Sequence, residues 1–146
     1  MGEGESGKIL SEFRRSANSI LPGTHTFWQG VDIPGENLVC VIITRLPFEV
    51  PDDPLTEARC EWIERREGHV FHNYTLPNAV LMFRQGFGRL IRTKSDWGVV
   101  AVLDPRILSK SYGSHFLHSL PSVPITYSLG QLEIFVEKFR NRTRRS

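Results

Sequence analysis

Leu38-Val39-Cys40-Val41-Ile42-Ile43-Thr44 is a near-continuous apolar run rich in β-branched residues. A run without polar alternation suits a strand covered on both faces, as in a parallel sheet flanked by helices. Trp97-Gly98-Val99-Val100-Ala101-Val102-Leu103 repeats the pattern downstream. Asn18-Ser19-Ile20-Leu21 reads as a third, short strand. Helical patterns fill the intervals. Residues 8–16 carry Ile9, Leu10 and Phe13 on one side, and residues 55–67 form a charged helix with Ala58, Trp62 and Ile63 inward. Residues 78–92 start just after Leu76-Pro77, a favourable helix start. Residues 115–120 stop at Pro121, and residues 129–142 close the series. Strands alternating with helices predict an α/β domain with a parallel sheet and flanking helices. Three strands are few for a doubly wound sheet, so the expectation is one part of a larger domain.

The 146 residues suffice for a single ordinary core. Hydrophobic content of 40% and charged content of 23% are those of a globular protein. No apolar run approaches the ~20 residues that span a membrane, and Met1-Gly2-Glu3-Gly4-Glu5 has no signal-peptide character. Cys40 and Cys60 lack metal-ligand or disulfide spacing. They read as buried thiols of a reducing compartment. The net charge of +2 is mild, but Arg140-Asn-Arg142-Thr-Arg144-Arg145 is locally basic. That tail fits either phosphate contact or a frayed, solvated terminus. Pro47, Pro51 and Pro54 with Asp52 and Asp53 mark a rigid exposed loop rather than a domain boundary.

The chemistry concentrates in two stretches. In Gln85-Gly86-Phe87-Gly88-Arg89-Leu90-Ile91-Arg92, helical geometry puts Gln85, Arg89 and Arg92 within roughly a 60° arc. Val80, Phe83, Phe87, Leu90 and Ile91 fill an arc of about 100° on the opposite side. Two guanidiniums and an amide thus face outward, and arginine suits multidentate phosphate recognition. Each mid-helix glycine costs about 1 kcal/mol relative to alanine, so Gly86 and Gly88 suggest close backbone approach. A plain amphipathic helix with solvated arginines is the alternative reading. The second stretch is Gly23-Thr24-His25-Thr26-Phe27-Trp28-Gln29-Gly30-Val31-Asp32-Ile33-Pro34-Gly35. Lying between the first two expected strands, it is placed at the carboxyl edge of the sheet, where open α/β sheets bind ligands. Gly30 permits close approach, and Asp32 offers a carboxylate to a ribose. The alternative is a structural turn capped by Asp32, with Phe27 and Trp28 as core.

Together these stretches resemble motifs V and VI of superfamily 2 DNA helicases of the DinG/XPD type. Thr24-x-Thr26-Phe27-Trp28-Gln29-Gly30-Val31-Asp32-Ile33-Pro34-Gly35 is similar to motif V, and Gln85-x-x-Gly88-Arg89-x-x-Arg92 to motif VI. The stretch 38–48, Tyr74-x-Leu76-Pro77-x-Ala79, Asp96-x-Gly98, Leu103-Asp104-x-Arg106, Tyr112-Gly113 and Ser119-Leu120-Pro121 follow in the family's order. The resemblance covers about residues 6–121 and is nearest to the bacterial DinG branch. Residues 122–146 add a terminal helix and the basic tail.

The resemblance implies a RecA-like second motor domain, with ATP in a cleft shared with an N-terminal RecA-like motor domain that supplies most contacts to ATP and Mg²⁺. By motif position, Arg92 is the arginine finger and Arg89 a second phosphate contact. Gln85 senses nucleotide or couples it to DNA. Gly30 and Asp32 lie beside the ribose, and Thr24 and Thr26 grip the DNA backbone, single-stranded or forked. The implied function is ATP hydrolysis coupled to DNA unwinding in a bacterial, nucleoid-associated cytoplasmic protein, with analogy pointing to DNA repair. This domain by itself is expected to be inactive. The alternative is a stand-alone, non-catalytic module that binds nucleic acid or a helicase partner.

The other half of such a motor has no counterpart in these residues. Gly2-Glu-Gly-Glu-Ser-Gly7-Lys8-Ile9 mimics a phosphate loop, but Ile9 replaces the magnesium-binding hydroxyl and no strand precedes it. No Walker B acid pair closes a strand, and the four cysteines of an iron–sulfur cluster are missing. His69 and His72 stand three apart without a third ligand, so metal binding is not expected. Asp104 reads as a cap for the helix that follows it, or as a group at the cleft.

Overall fold

The computed structural model describes residues 3–16, 18–24, 38–50, 52–90 and 97–143. Among these, the chain runs α1 (Glu3–Arg15), β1 (Cys40–Ile43), α2 (Pro54–Glu67), a π-helical turn (Phe71–Thr75), α3 (Leu76–Leu90), β2 (Val99–Val102), α4 (Arg106–Ser109), α5 (Gly113–His118) and α6 (Leu129–Thr143). The two strands pair in parallel, Cys40 with Val99 through Ile43 with Val102. The class is therefore α/β with a parallel sheet, as the two apolar runs require.

Residues 18–21 are not a strand. Asn18 takes a left-handed φ of 83°, and the Ser19 hydroxyl donates to the carbonyls of Phe13 and Ser16 at 3.2 Å. Those carbonyls belong to the end of α1, so the segment closes a helix instead of joining a sheet.

α2 carries strong local signals at both ends. Asp53 accepts from the backbone N–H groups of Leu55 and Thr56, both at 3.0 Å, Pro54 opens the first turn, and Gly68 at φ 80° terminates it. Its inward face is narrower than expected. Ile63 is buried, but Ala58 and Trp62 are exposed, because α2 packs laterally on the π-helical turn.

α3 begins before Pro77 rather than after it. The Leu76 N–H donates to Phe71 O, five residues back. Proline in an α-helix clashes with the carbonyl four residues earlier, and a widened turn lets the helix run through that position.

Phe83 on α3 and Phe116 on α5, both wholly buried, meet edge to face at 5.4 Å. With Ile43, Leu46, Leu76, Ala79 and Ile107 they form the core. Fully burying one such side chain contributes about 2–3 kcal/mol. α3 lies across one face of the sheet, where Val41, Val100 and Val102 pack on this core. The expectation of cover on both faces is corrected. Ile42 is 55% exposed and Cys40 is exposed, because no described helix lies on that side. Cys60 is only half-buried, so neither cysteine is the buried thiol anticipated.

α4 and α5 approach so closely that a Cβ on Gly113 would overlap the carbonyl oxygen of Ile107 and lie 2.6 Å from its carbonyl carbon. Backbone cannot yield as a flexible side chain does. Gly113→Ala is expected to destabilise the domain by about 2–3 kcal/mol, read as a lower urea midpoint at unchanged slope.

Candidate functional site

α3 is built to anchor one side and present the other. Phe83, Gly86 and Leu90 are buried and Val80 and Phe87 half-buried, while Leu81, Arg84, Gln85 and Gly88 are exposed. Gln85 and Arg89 are one helical turn apart on the same side, with Arg89 half-buried. The two glycines divide the role expected of them. Gly86 faces the core. A Cβ on Gly88 would meet nothing within 4 Å, so any partner that uses its bare backbone must come from outside the described residues. Gly88→Ala should therefore stabilise the chain itself, by up to about 1 kcal/mol, measured as a raised melting midpoint.

The end of α3 is held to the sheet by Gly98. A Cβ there would lie 2.6 Å from Leu90 Cδ1 and 2.8 Å from the Val39 carbonyl oxygen. Val99 N–H donates to that same oxygen at 3.0 Å. Leu90 thus sits where Leu38-Val39 leads into β1 and Trp97-Gly98 into β2, at the amino ends of both strands.

The carboxyl-edge placement expected for the second stretch rested on a strand at 18–21, which does not form. Gly30, Asp32 and Thr26 fall within residues 25–37, and Arg92 within 91–96, outside the described residues. Thr24 is described and exposed. Among the described residues, Val39, Leu90 and Gly98 meet at the amino ends of β1 and β2.

The carboxyl edge holds a different constellation. Asp104, 4% exposed, follows β2, and its Oδ2 accepts from the backbone N–H of Leu46, just past β1, at 2.8 Å. Oδ1 accepts from Arg106 N, the first residue of α4, at 3.0 Å, from one position before the N-cap Pro105. The Arg106 guanidinium donates to the same carboxylate, Nη2 to Oδ2 at 2.6 Å and Nε to Oδ1 at 3.0 Å, and stacks over Phe48 at 5.5 Å. Arg106 is the main influence holding the Asp104 carboxyl far below the usual carboxylate range. Burial opposes it, and the Leu46 and Arg106 amides assist. The N-cap of α4 is Pro105, so Asp104 is not the cap expected of it; its link to Leu46 was not foreseen, because hydrogen bonds spanning 58 positions leave no local signature.

Among the described residues, no three His, Cys, Asp or Glu side chains gather as metal ligands. His69 and His72 are exposed, with ring centroids 6.3 Å apart. No described helix is long and apolar enough to cross a membrane.

Comparison with known proteins gives this geometry a context. A family model described as Helicase C-terminal domain matches residues 1–123. The chain is 44% identical over 134 residues to the 3'-5' exonuclease DinG of Bacillus subtilis, covering 91% of this chain and 14% of that protein. It is 43% identical over 135 residues to the ATP-dependent DNA helicase YoaA of Escherichia coli, covering 92% and 21%. The ATP-dependent helicase DinG of Mycobacterium tuberculosis is 42% identical over 120 residues, covering 82% and 18%. The chain thus spans about a fifth or less of the length of these relatives. The outward Gln85/Arg89 face on a helix docked to a parallel sheet lies within the matched region, and the chain belongs to the helicase C-terminal domain family of the DinG and YoaA proteins.

Proposed function

We propose that this domain forms the second-motor wall of an ATP cleft in a DNA helicase. The observation that carries the reading is the helix α3, anchored by Phe83, Gly86 and Leu90, which leaves Gln85 exposed and Arg89 half-exposed on its other side. Leu90 at the end of that helix meets Val39 and Gly98 at the amino ends of the strands. Arg92 is the arginine finger, Arg89 a second phosphate contact, and Gln85 the group that links nucleotide state to DNA. Gly30 and Asp32 border the ribose, and Thr24 and Thr26 contact the DNA backbone.

Arginine stabilises the charge that spreads over the transferred phosphoryl oxygens. Because these arginines reach ATP across a cleft, hydrolysis depends on closure of two domains. An N-terminal RecA-like motor domain of the same polypeptide supplies the phosphate loop and the Mg²⁺ ligands, so the working protein is a soluble cytoplasmic helicase acting on single-stranded or forked DNA. The exonuclease name belongs to a relative of which this chain matches 14%, and no nuclease step is assigned to this domain.

The reading is tested on the chain itself. Purified and supplied with ATP, Mg²⁺ and single-stranded DNA, it is expected to release no phosphate above background in a coupled assay, because it lacks a phosphate loop. Sustained turnover that survives further purification overturns the half-site assignment.

A further inference from the structure

α2 carries a surface that the ATP cleft does not use. Leu55 is 72% exposed and Trp62 52% exposed. With Ala58, Arg59 and Ile63 they line an open groove of about 410 Å³. On a helical projection Leu55, Ala58, Arg59, Trp62 and Arg66 share one side, while Glu57, Glu61, Glu64 and Glu67 lie roughly 100° or more from Trp62. Arg65, at the flank, is paired with Glu61 at 3.0 Å. The two arginines nearest the groove lie over aromatic rings instead, Arg66 over Trp62 at 5.1 Å and Arg59 over Tyr74 at 5.7 Å.

We propose that this face docks an acidic amphipathic helix of a partner protein. Leu55, Ala58 and Trp62 recur at spacings of three and four, the seam that a second helix fills. The small Ala58 between two large side chains leaves a hollow for an apolar knob. Arg59 and Arg66 border that seam where glutamate or aspartate of the partner would flank it, and the carboxylates of α2 itself point elsewhere. The charge pattern thus selects an acidic occupant, and the apolar lining selects a side chain over a phosphodiester. The surface is on a different helix from Gln85 and Arg89, so it stands or falls independently of the ATP reading.

The probe is a fluorescein-labelled peptide of about 20 residues, with leucine at seam positions and glutamate flanking them, titrated with the chain and followed by anisotropy. Its counterpart carries lysine for every glutamate. The glutamate peptide is expected to bind at least about tenfold tighter. Trp62→Ala, and separately Arg66→Glu, should each weaken it about tenfold with melting midpoints unchanged, since both side chains are on the surface. Equal binding of the two peptides, or undiminished binding by Trp62→Ala, overturns the proposal. So does displacement of the peptide by a single-stranded oligonucleotide with the same residue dependence, which makes the face a nucleic-acid contact. Self-association lost on Trp62→Ala makes the occupant a second copy and overturns it equally. In the longer helicase, failure of the glutamate peptide to bind assigns the groove to the same polypeptide and overturns the partner assignment.

Discussion

Alanine in place of Arg92, within a helicase that carries this domain, is expected to lower DNA-stimulated ATP turnover by about 10³–10⁵ while nucleotide still binds. Binding is dominated by the phosphate loop and Mg²⁺ of the opposite motor domain, which the substitution leaves intact. What disappears is an interaction made chiefly in the transition state, so kcat should fall far more than KM rises. Arg92→Lys keeps the charge but not the planar fork, and should recover only a small part of the loss. Arg89→Ala should cost less, because losing a second phosphate contact leaves the finger itself in place. The measurements are steady-state phosphate release with single-stranded DNA and binding of a fluorescent ATP analogue. Unchanged turnover in Arg92→Ala removes the finger assignment.

The second large effect is on stability. Asp104→Ala is expected to destabilise the domain by about 2–4 kcal/mol, since it leaves the buried Leu46 N–H without its acceptor and removes the charged partner of Arg106. Arg106→Ala should also destabilise, by stripping a nearly fully buried carboxylate of its cation. That cost is tempered because the Arg106 side chain is 40% exposed and partly screened.

The pH dependence fixes the sign. The Asp104 carboxyl is held below its ordinary value in the folded state, first by Arg106 and then by the amides. Its contribution is therefore complete above the unfolded carboxylate pKa of about 4. It is lost as pH falls from there toward the lower folded value. Asp104→Asn should flatten the loss of stability over this acidic window, measured as urea midpoints at successive pH values. Parallel curves for parent and variant would show that the pair is not the source.

Much of the architecture was legible because it rests on local pattern. The runs at 38–44 and 97–103 became β1 and β2 and pair in parallel, and Asp53-Pro54 with Gly68 bounded α2 within a residue of expectation. Periodicity also separated the buried and outward sides of α3, from Phe83 to Gln85. The failures share a cause: each depended on what a segment meets. Ile20 and Leu21 look strand-like, but the Ser19 hydroxyl and the left-handed Asn18 finish a helix. Trp62 looks like core, yet α2 lies on the domain laterally. Cys40 and Ile42 look doubly covered, but only one side of the sheet meets a described helix. On the candidate site, motif spacing set Gln85 and Arg89 on the side of α3 away from Phe83, whereas the approach of Leu90 to Gly98 and Val39 at the amino ends of the strands left no local signature.

The register of the sheet has an entropic consequence. Cys40 pairs with Val99 and Ile43 with Val102, so every rung joins residues 59 positions apart (99 − 40 and 102 − 43). Closing a flexible loop of that length costs roughly 3–4 kcal/mol, and whichever rung forms first bears nearly all of it. The remaining rungs then add bonds without further closure cost. A sheet of two four-residue strands under that constraint has little room for a half-paired state. Strand pairing and the seating of α3 on the sheet are therefore gained or lost in a single step.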